Sequence, residues 1–458
     1  MRRFWGSLIL GAGLAAALAG ATRAETLADA LSYGYEHSGL LEQNRALLRA
    51  ADENVAQSLA TLRPIISWSA QSSFSTSGPL RDAVGVDPYE ISSSATLSAS
   101  LLLYDGGQSR YAIDAQKALV LSTREQLRQI EQDLLKRVVT AYMEVQRAGA
   151  FVELRRNNLR LITSELRAAQ DRFEVGEVTR TDVSLAEARL ASARSLLASE
   201  EGSLADAQAE FTAAVGRKPG SLAAAPDARI PGTLAEAQAL ARRNHPALVE
   251  AQHAITVAEL NIQRADASRR PELTLQGSVS IDDEFDDSEQ IGLSVGQQLY
   301  TGGSLASQVR QAKARRDAAR SALLRVSRVV EQAVANAYTQ LTVARASIEA
   351  SGREVRAAQV AFDGLREEAK LGARTTLDVL NAEQDLLDAR ASLVSAQIDE
   401  TLATYVILSA VGTLDAQQLG LAVQVYDPAA YYNLVRNAPS GTSAQGRALD
   451  RVLEAIGR

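Results

Sequence analysis

Two segments of the chain, 196 residues apart, hold the residues that are best placed to act together. In each, a glycine is followed by a threonine three residues later and by an aspartate three residues after that: Gly176, Thr179 and Asp182, then Gly372, Thr375 and Asp378. The Thr-x-x-Asp spacing favours a capping box, in which both side chains accept backbone N–H groups at a helix start. Capping alone accounts for these carboxylates. Both pairs also follow long predicted helices, which would place the acids together at one tip of the molecule.

The reactive side chains that most enzymes and metal sites need are scarce in this sequence. Cysteine is absent, which excludes disulfides, thiolate metal sites and cysteine nucleophiles. The three histidines, His37, His245 and His253, have no cluster of further ligands around them, so we expect a structural role and predict no metal and no cofactor. No G-x-S-x-G, P-loop or pair of catalytic carboxylates stands out either. An enzyme is therefore the least favoured class.

The N-terminus has the pattern of a secretory signal peptide over residues 1–24. Arg2 and Arg3 precede an apolar stretch at 4–18, and Thr22-Arg23-Ala24 offers a small-residue cleavage site. The alternative, a membrane anchor, is less favoured because the apolar stretch is short and interrupted by glycines. Loss of the three arginines in this segment would take the formal net charge from −7 to −10, which argues against binding to nucleic acid.

The rest of the chain is an internal duplication. Residues from Leu103 to about Gly216 return 196 positions later, and Thr26–Ala30 returns 207 positions later. The difference between the two shifts indicates that the first copy carries 11 extra residues between Pro64 and Leu103. A repeat of this length is a structural unit built twice, so both copies should fold in the same way.

Within each copy the predicted order is a helix, two strands, a very long helix, a turn and a return helix. The first structural repeat spans 25–220 and the second 221–420, followed by a C-terminal tail at 421–458. From about Asn437 onward we expect the tail to be mobile, with a short helix near Leu449–Ile456. Predicted helices open the copies at Leu27–Leu62 and Leu234–Arg269, and prolines end them. The remaining predicted elements are strands at about 65–77, 91–103, 272–282 and 290–300, long helices at 107–173 and 303–371, and return helices at 180–215 and 376–411. A long helix of this size would extend on the order of 100 Å.

The four predicted strands alternate apolar residues with small polar ones. A half-buried sheet of a soluble protein would show the same period of two, but these strands are also long enough to cross a membrane at a tilt. Tyr104 and Tyr300 come just before paired glycines, where an aromatic belt at the membrane interface would place them. Four strands cannot close a barrel and open edges are unstable in lipid, so several chains must share it. Three chains would supply twelve strands.

Several segments together give the chain a family likeness. They are Thr140–Val145, Val152–Asn158, Arg172–Val183 and Ala186–Leu190, and later Leu377–Gln384 and Val425–Pro428. On these residues the chain resembles the TolC family of outer-membrane efflux proteins over nearly its whole mature length, and it is most similar to members that serve type I secretion systems. The resemblance implies an α+β membrane protein that forms a homotrimer. Four β-strands and long coiled helices from each tandem-duplicated protomer would build a 12-strand β-barrel and a 12-helix α-barrel.

The resemblance also implies a location and partners. The protein would sit in the outer membrane, in contact with its lipid, and extend far into the periplasm. There it would meet an adapter protein and, through the adapter, an inner-membrane ABC exporter or proton-driven pump. The adapter would contact the two glycine turns, at Val175, Gly176, Thr179, Leu371, Gly372 and Thr375.

By the same resemblance, the closed tip should be narrowed and locked by residues near the turns. Asp378 matches one of two acidic rings in the family, but Asn381 stands at the position of the other. Arg374, Thr181 and Asp182 match a lock that holds the tip shut, whereas Ala369 replaces its tyrosine. We therefore expect a resting pore that is less tightly closed and less cation-selective than in a typical member.

The sequence leaves three functions to weigh. The first is a passive exit duct for type I protein secretion, and the second is the outer-membrane end of a multidrug or metal efflux pump. The third, a non-transporting rod or tether, is disfavoured by the alternating strands. Nothing in the sequence names the cargo, because a duct that touches molecules only transiently needs no substrate pocket.

Overall fold

The computed structural model describes residues 24–76 and 89–456, so the predicted signal peptide lies outside it except for Ala24. The described elements follow the chain in this order: α1 (Leu27–His37), α2 (Gly39–Ala60), β1 (Ile65–Thr76), β2 (Tyr89–Tyr104), α3 (Gln108–Glu174), α4 (Arg180–Val215), α5 (Leu234–Asn244), α6 (Pro246–Ala267), β3 (Glu272–Asp282), β4 (Asp287–Gly296), α7 (Ser304–Lys370), α8 (Thr376–Val411), α9 (Ala430–Val435) and α10 (Ala444–Ile456). Both copies therefore give two short helices, a hairpin, a helix of 67 residues and a return helix of 36.

The prediction of one continuous opening helix was wrong in both copies. In the first, Ser38 is extended and its side chain accepts the N–H of Leu41 at 3.3 Å, which starts α2 as a new helix. In the second, His245 is extended because the residue before a proline is disfavoured in the helical region. Pro246 then opens α6, and Nδ1 of His245 accepts the N–H of Ala247 at 3.2 Å. One of the three histidines is thus a helix cap.

The strands form one antiparallel sheet in the order β1-β2-β3-β4, so the two hairpins join through β2 and β3. Small polar residues face each other across the hairpins, as in the pairs Ser67–Ser98 (2.8 Å) and Ser280–Ser288 (2.7 Å) between hydroxyl oxygens. Large apolar residues on the strands are exposed, among them Trp68 at 71 %. Among the described helices, none combines the length and the apolar character that a membrane span requires.

The two copies differ at the end of the sheet. β2 runs to Tyr104, which pairs with Leu273 after a register shift. β4 stops at Gly296, four residues short of the predicted end, so Tyr300 follows the strand. The reason is its neighbour, because β3 begins at Glu272 after Pro271 and pairs that residue with Gly296. Beyond this pair β4 has no strand to bond to.

The chain divides into two compact units. One combines the chain up to Gly34 with Val138–Pro226 and Ile348–Ile398. Its core includes Tyr142, whose hydroxyl lies 2.8 Å from the carbonyl oxygen of Glu25 and 2.6 Å from that of Ala223. This buried tyrosine fixes the long helix to the segments that enter and leave the first copy.

The other unit combines Tyr35–Arg137, Asp227–Ser347 and Asp399–Arg458, and it contains the whole sheet. In its core, alanine and valine side chains of α5 and α7 pack against Ile407 of α8. Tyr338, the repeat equivalent of Tyr142, donates to the carbonyl oxygen of Pro231 at 2.7 Å. The duplication therefore preserves the hydrogen-bonding role of the tyrosine as well as its place.

The C-terminal tail is packed rather than mobile, which corrects the prediction. Tyr431, Val435 and Leu449 of α9 and α10 are buried in one cluster with Ala56 of α2. The hydroxyl of Tyr431 donates to Glu53 at 2.7 Å. Leu449, Val452, Leu453 and Ile456 have the spacing of an amphipathic helix, but the sequence does not show that its partner is α2, almost 400 residues earlier.

Candidate functional site at the two helix turns

The turns that follow α3 and α7 have the same backbone. Gly176 and Gly372 have φ angles of 81° and 79°, in the left-handed region that glycine adopts without a steric penalty. After the first glycine, the N–H of Glu177 donates to the carbonyl of Arg172 at 2.9 Å, and Ala373 donates to Glu368 at 2.9 Å in the second turn. These bonds satisfy carbonyls at the helix ends and reverse the chain within a few residues.

Both Thr-x-x-Asp patterns form capping boxes, as predicted. The N–H of Thr179 donates to Asp182 at 2.9 Å, and the N–H of Asp182 donates back to the threonine hydroxyl at 3.3 Å. In the second copy, the corresponding distances between Thr375 and Asp378 are 3.0 and 3.2 Å. Hydrogen bonds from the threonines hold the pKa of each aspartate below its ordinary value. Both acids are therefore ionised at neutral pH in the protomer.

The second predicted constriction residue has an unforeseen partner. Arg189, on α4, donates to the side-chain oxygen of Asn381 on α8 at 3.0 Å. The two residues are 192 positions apart, so no local sequence pattern indicates the contact. An aspartate at position 381 would lie within reach of the same guanidinium. Asn381 thus keeps a hydrogen bond with Arg189 without adding a negative charge.

The structure does not bring the predicted lock residues together. Nε of Arg374 lies 2.9 Å from Glu368, an ion pair within the second turn. Asp182 is occupied by its own cap on Thr179. Across the part of the chain that is described, no hydrogen bond or ion pair joins Arg374 to Thr181 or Asp182. A role of these three residues in gating stays a prediction.

The predicted adapter contacts lie on an exposed surface. Val175 is 71 % exposed and Leu371 is 86 % exposed, at equivalent places in the two turns. The glycines beside them, Gly176 and Gly372, have open space where a side chain would begin. Exposed apolar residues in matching positions are suited to contact with another protein. Each turn thus presents one exposed apolar side chain, Val175 or Leu371, next to the capped N-terminus of a return helix.

A buried polar cluster that no sequence pattern indicated lies two residues beyond Asn381. Glu383 of α8 is only 4 % exposed, and its Oε1 accepts a hydrogen bond from Asn158 of α3 at 2.7 Å. Glu165 of α3 is also buried and lies 3.3 Å from the guanidinium of Arg366 on α7. Both Asn158 and Glu383 fall in segments that carry the family resemblance. Their burial, however, depends on packing between helices far apart in the chain.

The family model described as "Outer membrane efflux protein" matches residues 35–217 and 238–413, which correspond to the two copies of the repeat. The chain belongs to this family. The outer membrane efflux protein BepC of Brucella suis biovar 1 is 36 % identical over 425 residues, covering 91 % of this chain and 92 % of BepC. The alkaline protease secretion protein AprF of Pseudomonas aeruginosa is 28 % identical over 78 % of this chain and 76 % of AprF.

Solved structures show the same fold. The Campylobacter jejuni CmeC outer membrane channel superposes with a TM-score of 0.76 over 90 % of each chain, at 14 % sequence identity. The predicted α+β class, the TolC-family resemblance and the outer-membrane location with a periplasmic helical extension are confirmed. Membership also makes the protein an efflux channel of the outer membrane and not an enzyme.

Proposed function

We propose that three copies of this chain form the exit duct of a tripartite export machine, and that the duct serves type I protein secretion. The observation that carries the duct is the sheet, which has four strands and unpaired outer edges at β1 and β4. Exposed apolar side chains line these strands. An open sheet of this kind is stable in lipid only when further copies complete it. Three copies would give twelve strands, six long helices and six return helices, as the 12-strand and 12-helix barrels implied by the resemblance require.

The two turns supply the proposed contact with a periplasmic adapter. Val175 and Leu371 offer apolar side chains to a partner, and the capping boxes keep the neighbouring helix starts rigid. Through the adapter, the duct would receive substrate from an inner-membrane ABC exporter or a proton-driven pump. Transport through the duct is passive, as in the outer-membrane efflux family to which the chain belongs.

The likeness to AprF, an alkaline protease secretion protein, supports secretion of a protein cargo. A second candidate is the outer-membrane end of a multidrug or metal efflux pump. It is favoured by the higher identity to BepC, which is named an efflux protein. Both functions use the same duct and differ in the inner-membrane partner.

The test is a deletion of the gene, compared with the same strain carrying the intact gene or a Leu371→Glu variant. We expect the deletion to remove one or a few abundant proteins from the medium while drug and metal tolerance stay unchanged. The Leu371→Glu variant should reproduce the defect, because a charge replaces an exposed apolar contact. Glu187→Gln, on the exposed surface of α4, is the matched control and should behave as wild type.

Normal secretion with increased sensitivity to drugs or metals would instead support the efflux function. Ionic conductance of the purified protein in lipid bilayers separates either duct from a tether. A protein that inserts without forming pores would overturn both transport proposals.

A further inference from the structure

The buried cluster around Glu383 has no part in the proposed contacts with membrane or adapter. It lies in one compact unit, where α8 packs against α3 and α7. Glu383 is held by one hydrogen bond, from Asn158 to Oε1 at 2.7 Å. Its other oxygen, Oε2, is buried and accepts no hydrogen bond from the described residues. A buried carboxylate oxygen without a donor is unfavourable when the group is charged.

Few charges surround this carboxyl group. On α3 the second acid is Glu165, and on α7 the cation that acts on Glu383 is Arg366, whose Nε lies 3.3 Å from Glu165. From α4, Arg189 is engaged with Asn381. If both glutamates were ionised, one guanidinium would have to balance two negative charges in a buried site.

Buried apolar clusters lie on the same turns of α8, before and after Glu383. Leu380 of α8 is buried with Ile162 of α3 and with Leu190 and Ala193 of α4. One turn further, Leu386 packs with Phe362 of α7 and with Val379 and Ala382 of α8. Such surroundings cannot solvate a second negative charge. The cluster is therefore most favourable when Glu383 carries a proton.

We propose that Glu383 is a proton-controlled latch that holds the first turns of α8 against α3. With a proton on Glu383, the neutral acid stays buried and its bond with Asn158 is kept. Loss of the proton leaves a charge without sufficient partners, and α8 gains freedom to move away from α3. Glu383 lies five residues after Asp378 on the same helix, so the latch acts on the segment that bears the predicted constriction. Only this link to tip opening rests on the proposed function.

The direction of the pH effect follows from the environment. Burial, with a smaller contribution from Glu165, raises the pKa of Glu383 to about 7 against the lowering effects of Asn158 and Arg366. An acid with a raised pKa in the packed state stabilises that state fully below its ordinary pKa, near 4.5. The stabilisation is lost as the pH rises from about 4.5 to about 7. Acidic conditions should thus keep the latch closed, and mildly alkaline conditions should release it.

The test is hydrogen–deuterium exchange on the full mature protein in lipid nanodiscs, comparing wild type with Glu383→Gln at pH 5 and pH 8. Glutamine keeps an oxygen for Asn158 and carries no charge. Exchange of peptides covering 379–390 and 155–166 should differ much less between the two proteins at pH 5 than at pH 8. At pH 8 wild type should exchange at least about threefold faster than the variant, since each proton released changes an equilibrium by up to tenfold per pH unit. Comparison at the same pH removes the intrinsic pH dependence of exchange.

Two further variants keep the result interpretable. Glu187→Gln, exposed on α4, should follow wild type at both pH values. Glu165→Gln removes the neighbouring acid and frees Arg366, so the pH at which protection is lost should move down. Equal exchange of wild type and Glu383→Gln at pH 8, or no shift with Glu165→Gln, would overturn the latch. Because exchange is read in the purified protein, this result is separate from the outcome of the secretion assay.

Discussion

At the level of single residues, Asp52 on α2 is a second acid that is buried without sufficient hydrogen-bond partners. It is fully buried, and neither of its oxygens accepts a hydrogen bond from a described residue. Burial raises its pKa to about 6, opposed by the charge of Arg124 and reinforced by Glu53. Arg124 itself lies over the ring of Tyr432 in the tail, 5.5 Å from the ring centre. Asp52 is thus a buried acid close to the surface of α2 on which the C-terminal helices pack.

The Asp52→Asn substitution should stabilise the protein at alkaline pH. A pKa raised from 3.8 to about 6 means that stability is greatest below pH 3.8 and falls as the pH approaches 6. The charged form therefore costs about 3 kcal/mol at pH 7 and above. Asparagine removes this cost, but it also leaves Arg124 without an opposite charge, which offsets part of the gain. We therefore expect a net stabilisation of about 1–2 kcal/mol at pH 8.

The measurement is thermal unfolding of wild type and Asp52→Asn in detergent at pH 4.5 and pH 8. The two proteins should differ little at pH 4.5 and clearly at pH 8. Asp133→Asn, an exposed position on α3, serves as the control and should have no effect at either pH. Destabilisation by Asp52→Asn at pH 8 would mean that Arg124 outweighs the effect of burial.

Which residue roles the sequence reveals depends on how local the interaction is. The capping boxes were predictable because Thr179 and Asp182 contact each other across three positions. The bond between Arg189 and Asn381 and the burial of Glu383 were not, since each depends on helices that meet only in the folded protein. The roles proposed for Arg374, Thr181 and Asp182 came from the resemblance alone, and the structure of one chain leaves them unpaired with each other.

At the level of helices and strands, the periodicity of apolar residues was enough to predict the long elements but not the short breaks between helices. A helix of 67 residues imposes its pattern over many turns, and its end is marked by glycine. The break at Ser38 requires only one residue with a suitable side chain. The early end of β4 is set by Pro271, which precedes the neighbouring strand β3, so the residues of β4 alone do not indicate it.

Two glycines at helix ends allow a matched test of what these ends require. Gly372 and Gly412 follow α7 and α8, with φ angles of 79° and 84°. A side chain at Gly372 would meet open space, whereas one at Gly412 would come within 2.6 Å of the Cα atom of His245. Gly372→Ala should therefore cost only the left-handed backbone strain, about 1–2 kcal/mol.

Gly412→Ala should cost clearly more, by a further 2 kcal/mol or so, because backbone must move to relieve the clash. The displaced backbone is the His245 cap, so protection of the amides of α6 should fall in Gly412→Ala and stay unchanged in Gly372→Ala. Thermal unfolding gives the first comparison and hydrogen exchange of residues 246–256 gives the second. Equal losses in the two variants would show that the contact with His245 is easily relaxed.

At the level of the whole molecule, the protomer is incomplete in a way that the sequence already indicated. The alternation of the strands predicted a sheet with one apolar face, and the structure leaves large apolar side chains such as Ile291 exposed at 87 %. The packing of the tail on α2 could not be predicted, because its three buried residues meet Ala56 across almost the whole chain. Closure of the sheet by further copies is a property of the assembly and remains a proposal.

The ion selectivity of that assembly offers a test in which residue 381 has a defined role. In the proposed trimer, Asn381→Asp adds three negative charges near the ring formed by Asp378. Arg189, 3.0 Å from the side chain at 381, would offset part of the added charge. We therefore expect the permeability ratio of potassium to chloride to rise by roughly twofold, and to rise further when Arg189→Gln is combined with it.

Reversal potentials in planar bilayers under a potassium chloride gradient measure this ratio directly. Asn157→Asp, on the exposed surface of α3, adds the same charge away from the predicted constriction and should leave the ratio unchanged. The order of the variants matters more than the absolute values, because the proposed ring of Asp378 would itself favour cations in the wild-type pore. If Asn381→Asp matched Asn157→Asp, residue 381 would lie outside the narrow part of the pore, and the predicted weak cation selectivity would lose its cause.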